Sequence, residues 1–110
     1  MKIRELFLVS VTHNTGHGPC NDPLMITEHL ETALKAARSA ESWGYEFYDP
    51  METGVGISRL EFGRLYPKEK WKFSGNPPPD YPCVVYFRKE DGRWTEEWFD
   101  EALQERFAFR

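Results

Sequence analysis

The densest concentration of reactive side chains lies near the amino-terminal end, where His13, His17, Cys20 and Asp22 fall within ten residues. Imidazole nitrogen and thiolate sulfur are good zinc ligands, and the short intervals between His13, His17 and Cys20 would let them converge on one ion. A structural zinc site usually draws a second ligand pair from elsewhere, and only His29 and Cys83 remain to supply it. The leading expectation is therefore no cofactor, with zinc at His13, His17 and Cys20 as the alternative. The same residues suit a thiol nucleophile. Cys20 would sit near the start of a helix, which lowers a thiol pKa, with His13 or His17 as its base. Nothing in the pattern marks an oxyanion hole or a third, orienting residue.

Phosphate chemistry is poorly represented. Gly16-His17-Gly18 lacks the longer spacing and the lysine of a nucleotide-binding loop, and Gly54-Val55-Gly56 carries even less. A nucleotide-like ligand remains an alternative, stacked on Trp or Tyr with Arg59, Arg64 or Lys72 on its phosphate. Pro77-Pro78-Pro79-Asp80-Tyr81 contains a Pro-Pro-any-Tyr pattern that a WW-type domain can bind. Its place just before an apolar strand favours a structural role instead, the prolines stiffening a connection and Tyr81 packing.

The second concentration is electrostatic. Glu90, Asp91, Glu96, Glu97, Asp100, Glu101 and Glu105 are opposed between residues 90 and 105 only by Arg93. A basic stretch, Arg59 to Lys72, partly balances them, and the formal net charge is −4. That sign argues against a general nucleic-acid binder, which needs a basic surface to displace counterions. Four Trp, five Tyr and eight Phe exceed what one small core readily covers, so some aromatics are expected at the surface. Exposed aromatics among acids suit docking onto a basic protein. The expected contact set is Trp94, Glu96, Glu97, Asp100, Glu101, Glu105 and Phe109. The bland reading of these acids is an ordinary solvated helix face.

These features lead to a non-enzymatic binding module that masks or inhibits a basic protein partner. Immunity proteins and phage-encoded anti-defence proteins are small acidic inhibitors of this type; the comparison is one of type and rests on no shared motif. The alternatives are a small metal- or thiol-dependent enzyme on the His13/His17/Cys20 loop, and the nucleotide-like ligand binder. Two cysteines are too few for a disulfide framework. The apolar run Leu6–Val9 is too short for a signal peptide, and no stretch approaches a membrane span. A cytoplasmic protein is expected. Its oligomeric state cannot be read.

The elements that must position these residues follow from hydrophobic periodicity. With 110 residues there is room for one domain and one core, 1–110. Ile3–Thr12 reads as a strand and His13–Asp22 as a loop. Asp22-Pro23 reads as a helix start, because Asp caps free N–H groups and Pro suits the first helical position. The stripe Ile26, Leu30, Ala33, Leu34, Ala37 continues that helix to a stop at Gly44. Tyr45–Tyr48 is expected as a short strand. Residues 57–66 lean to strand, although Ser58 and Glu61 have capping-box spacing. Trp71 and Phe73 alternate with lysines as in a half-buried strand. Cys83–Arg88 is a clear strand, turned by Asp91-Gly92. A second helix is expected from Thr95, with Glu96 and Glu97 in its first turn. The economical assembly is α+β: a mostly antiparallel sheet of four to five strands with two amphipathic helices on one face.

Overall fold

The computed structural model describes residues 4–15, 18–45, 52–67 and 81–108. It is an α+β fold built on a five-stranded antiparallel sheet. The strands are β1 (Glu5–Thr15), β2 (Gly18–Thr27), β3 (Glu52–Glu61), β4 (Cys83–Glu90) and β5 (Arg93–Trp98), in the order β2-β1-β3-β4-β5. Two helices accompany them, α1 (Leu30–Arg38) and α2 (Glu101–Phe107), with a 3-10 turn at Ala40–Trp43 after α1.

Alternation along the strands sorts the residues into two sets. Phe7, Val9 and Val11 of β1, Val55 and Ile57 of β3, and Val85 and Phe87 of β4 are buried together with Leu30, Ala33, Leu34, Ala37 and Ala40. α1 packs against β1, β2 and β3. Three alanines on its buried side let its backbone approach the large β-branched residues of the sheet. Leu103 and Phe107 of α2 pack against the same cluster, but no residue of α2 is fully buried.

Three sequence expectations hold closely. β4 covers Cys83–Arg88 and extends to Glu90, and residues 57–61 are strand. Asp91 and Gly92 both take positive φ, 50° and 78°, in the two-residue turn between the paired residues Glu90 and Arg93. That is the turn whose twist matches a hairpin. Gly44, at φ 96°, closes the 3-10 turn, whereas α1, expected to run on to it, already stops at Ser39.

Two expectations are corrected. Residues 13–22 are not a loop, because β1 runs on to Thr15 and β2 returns from Gly18, pairing His13 with Cys20 and Val11 with Asp22. Pro23 accordingly lies in β2, opposite Ser10, where the register shifts. A missing N–H is tolerated at a helix start and equally at a bulge on an edge strand, so the proline fitted both. The helix begins only at Leu30, behind His29, and Ile26 stands 66% exposed on the strand.

The second correction concerns Thr95–Trp98, which is β5 and not helix. A two-residue turn sends the chain straight back along β4, pairing Tyr86 with Glu97 and Phe87 with Glu96. Trp94 and Trp98 are four apart, an interval that fits both a helical turn and two strand repeats. Asp100 is the true cap of α2, its Oδ1 accepting from the Leu103 N–H at 3.1 Å. The expected strands at 45–48 and at Trp71 and Phe73, and the Pro77–Asp80 motif, lie outside the described residues except for Tyr45.

On the side away from the core, the Tyr86 ring lies across β3. A Cβ on Gly54 would stand 2.6 Å from Tyr86 Cε1 and would also meet the Phe87 carbonyl, whereas one on Gly56 would be 3.3 Å from Tyr86 Cδ2. Gly54→Ala is therefore expected to lose about 1–3 kcal/mol in urea unfolding, with Gly56→Ala losing less. Equal losses at the two positions would show that neither the Phe87 carbonyl nor the Tyr86 ring constrains position 54.

Candidate functional site

The end of the sheet at β5 is where unusual residues gather. α1 packs against β1, β2 and β3, and none of the seven residues of α2 is fully buried. Trp94, Glu96 and Trp98 alternate along β5 and, with Phe87, Arg38 and Gln104, line a cleft of about 510 Å³. Its size is that of an ordinary small-molecule site.

Polar groups in the cleft are tied to one another. Arg38, in the last turn of α1, donates to Glu96 Oε1 from Nε at 2.9 Å and from Nη2 at 2.6 Å. Nη2 also donates to the Phe107 carbonyl of α2 at 3.0 Å, and the guanidinium stands 5.8 Å from the Phe87 ring centroid. Side-chain exposure is 30% for Arg38 and 16% for Glu96, so this pair is more shielded than the other ion pairs at the surface. Trp98 Nε1 donates to Glu96 Oε2 at 3.3 Å, and Trp94 Nε1 donates to Glu41 at 2.9 Å. Hydrogen bonds from Lys89 and Trp94 hold the Glu41 carboxyl below its ordinary value. Both indole rings are thus pinned by carboxylates, and Trp94 remains 39% exposed.

The residues expected to form one acidic surface are divided by the tertiary structure. Glu96 turns toward Arg38. Asp100 caps α2 and pairs with Arg59 of β3 at 3.3 Å. Glu97 is exposed, 3.8 Å from Arg88, while Glu101 and Glu105 are exposed on α2. Trp94 joins the cleft, and Phe109 lies outside the described residues. Glu41, Arg38 and Gln104 were not foreseen: each is an ordinary helix residue in sequence, and only chain crossings carry them to β5. The alternation Trp94, Glu96, Trp98 was the available signal.

The His/Cys segment has a different setting from the one expected. His13 and Cys20 sit opposite each other in the β1–β2 hairpin, and His17 lies outside the described residues. Cys20 lies in β2, ten residues before α1 begins, and not near a helix start as expected. Among the described residues no group of three or more His, Cys, Asp or Glu could hold a metal. Of the phosphate candidates, Arg59 pairs with Asp100 and Arg64 with Glu61, while Lys72 is outside the described residues.

Another, smaller cavity of about 430 Å³ lies on the opposite sheet face, lined by Ser10, Thr12, Asn21, Ser58, Tyr81 and Tyr86 with the Cys83 thiol. Tyr81 packs edge-on against Phe99 at 5.2 Å, the structural role expected of it. Burial pushes the Cys83 thiol up from 9.0 to about 12, so it is no nucleophile at neutral pH. Comparison with protein-family models, with characterised proteins and with solved structures finds no match to this chain. Among the described residues no helix is long and apolar enough to cross a membrane.

Two measurements follow. An Arg38→Ala, Glu96→Ala double-mutant cycle should give a coupling of about 1–2 kcal/mol, reduced from a fully buried pair by the residual exposure. A coupling near zero would mean the pair is solvated. For Cys83, the unfolded thiol ionises from about pH 9 while the folded one stays neutral nearly to 12. Its contribution is therefore complete below pH 9 and is lost as pH rises. Between pH 8 and about 10.5, wild type should lose about 1–2 kcal/mol relative to Cys83→Ala. Parallel pH profiles for the two proteins would exclude this titration.

Proposed function

We propose that this protein is a non-enzymatic binding module that docks through β5 and α2 onto a basic protein partner, masking or inhibiting it. The observation that carries the reading is that, among the described residues, β5 ends the sheet order while the chain around it is rich in exposed acids. An edge strand offers main-chain donors and acceptors to an added strand or loop. Glu97 on that edge, with Glu101 and Glu105 on α2, gives the approach a negative sign. Two copies of such an edge would place like charges together, which disfavours self-pairing and leaves a basic partner as the favourable occupant. In this reading both helices cover one sheet face, so α2 and β5 present a continuous acidic margin. Steering by that charge would speed encounter. The type of protein it resembles in this role is the small acidic inhibitor, immunity-like or anti-defence-like.

The placement of side chains refines which acids should act. Glu96 and Asp100 hold the fold through Arg38 and Arg59, so their loss would weaken binding through instability. Glu97, Glu101 and Glu105 are the residues to reverse. Partners recovered from the native host by wild-type protein should be lost, or bound roughly tenfold more weakly and with a shallower salt dependence, by the triple variant Glu97→Lys, Glu101→Lys, Glu105→Lys. Recovery unchanged by the reversal, in a variant with an unaltered melting temperature, would refute the acidic margin.

A further inference from the structure

We infer that the cleft between α1, β5 and α2 is a binding site for an uncharged heteroaromatic ring of the nucleobase class, distinct from the acidic margin on the outside of β5. Three observations converge. The walls are aromatic: Phe87, Trp94 and Trp98 line the cavity, and both indole N–H groups are anchored to carboxylates. Rings fixed in this way lose little further entropy when a planar ligand packs against them.

The charge in the cleft is already matched. Arg38, the one cation among the residues lining it, is held by Glu96 and by the Phe107 carbonyl. It is not spare for a phosphate, and the Glu96 carboxylate would repel one. The ligand the cleft accepts is therefore neutral, a base or nucleoside in preference to a nucleotide.

Gln104 supplies the remaining recognition. It is the one polar side chain lining the cleft that makes no hydrogen bond among the described residues. Its amide offers a donor beside an acceptor, the complement of the paired donor and acceptor on a nucleobase edge. The cleft volume of about 510 Å³ accommodates a base with its ribose.

The experiment is a titration of the ¹⁵N-labelled full chain with each of the four common nucleosides, read at the indole Nε1–H resonances of Trp94 and Trp98. Saturable shifts at both indoles are expected with at least one nucleoside. Trp94→Leu and Gln104→Leu should each weaken that binding by roughly tenfold, as expected for loss of one stacking wall or one paired edge. Gln104 is exposed on α2, so its variant keeps the test valid should Trp94→Leu fail to fold. The corresponding 5′-monophosphate should bind no more tightly than the nucleoside. Absence of saturable shifts at millimolar nucleoside would overturn the assignment. So would indole binding as tightly as the best nucleoside with Gln104→Leu unchanged, which would make the cleft a plain apolar socket. Tighter binding of the monophosphate would overturn its neutrality. Because Glu97, Glu101 and Glu105 lie outside the cleft, none of these outcomes depends on the acidic margin.

Discussion

The Arg38 guanidinium is the point at which the outer part of this fold is fastened. α1 packs against β1, β2 and β3, and among the described residues α2 adds only the partly buried Leu103 and Phe107 to the core. A single side chain at the end of α1 reaches Glu96 on β5 and the last turn of α2, while its flat face rests near Phe87. A bidentate guanidinium suits this task because its fork directs two N–H groups at one carboxylate oxygen and a third contact at a carbonyl. A lysine would offer charge without direction. The geometry also explains the cleft. An ion pair fastens elements at one point and leaves space beside it, where packed side chains would have filled the gap.

The same economy governs the acids. Seven of them cluster between residues 90 and 105, and such a run reads naturally as one surface. Two are spent internally, Glu96 on Arg38 and Asp100 on both the α2 N-cap and Arg59. Of the exposed remainder, Glu97 lies on β5, Glu101 and Glu105 on α2, and Glu90 and Asp91 at the turn between β4 and β5. The protein therefore carries two chemically different margins at one end of its sheet: a negative outer rim, and an inner cleft with aromatic walls and matched charge. In the readings proposed above they serve different ligands, a basic macromolecule for the first and a neutral ring for the second.

The opposite face of the sheet is shaped by a backbone constraint. Tyr86 can lie across β3 only because positions 54 and 56 carry no Cβ, and Arg88 stacks on the same ring at 5.1 Å. The spacing Gly54-Val55-Gly56 looked in sequence like a weak loop motif. In the fold it is a strand whose two glycines face one way and whose valine fills the core the other way.

Composition and local pattern by themselves determined an α+β chain, the strand at Cys83–Arg88 and the tight turn at Asp91-Gly92. Each rests on a short-range requirement, such as positive φ or an apolar run, that no distant contact overrides. The buried stripe of α1, from Leu30 to Ala37, was legible for the same reason. Where two periods share an interval, the sequence was silent. Trp94 and Trp98 fit helix and strand equally, and Pro23 fits a helix start or an edge bulge. Pairing with β4 and with β1 settled both, because a strand that gains a partner satisfies its backbone N–H and C=O groups in a way an isolated pattern cannot anticipate. The cleft was beyond reach of sequence altogether. Arg38, Glu41, Glu96 and Gln104 come from three separate elements and the turn after α1, and only the crossing of chains distant in sequence decides which charges meet.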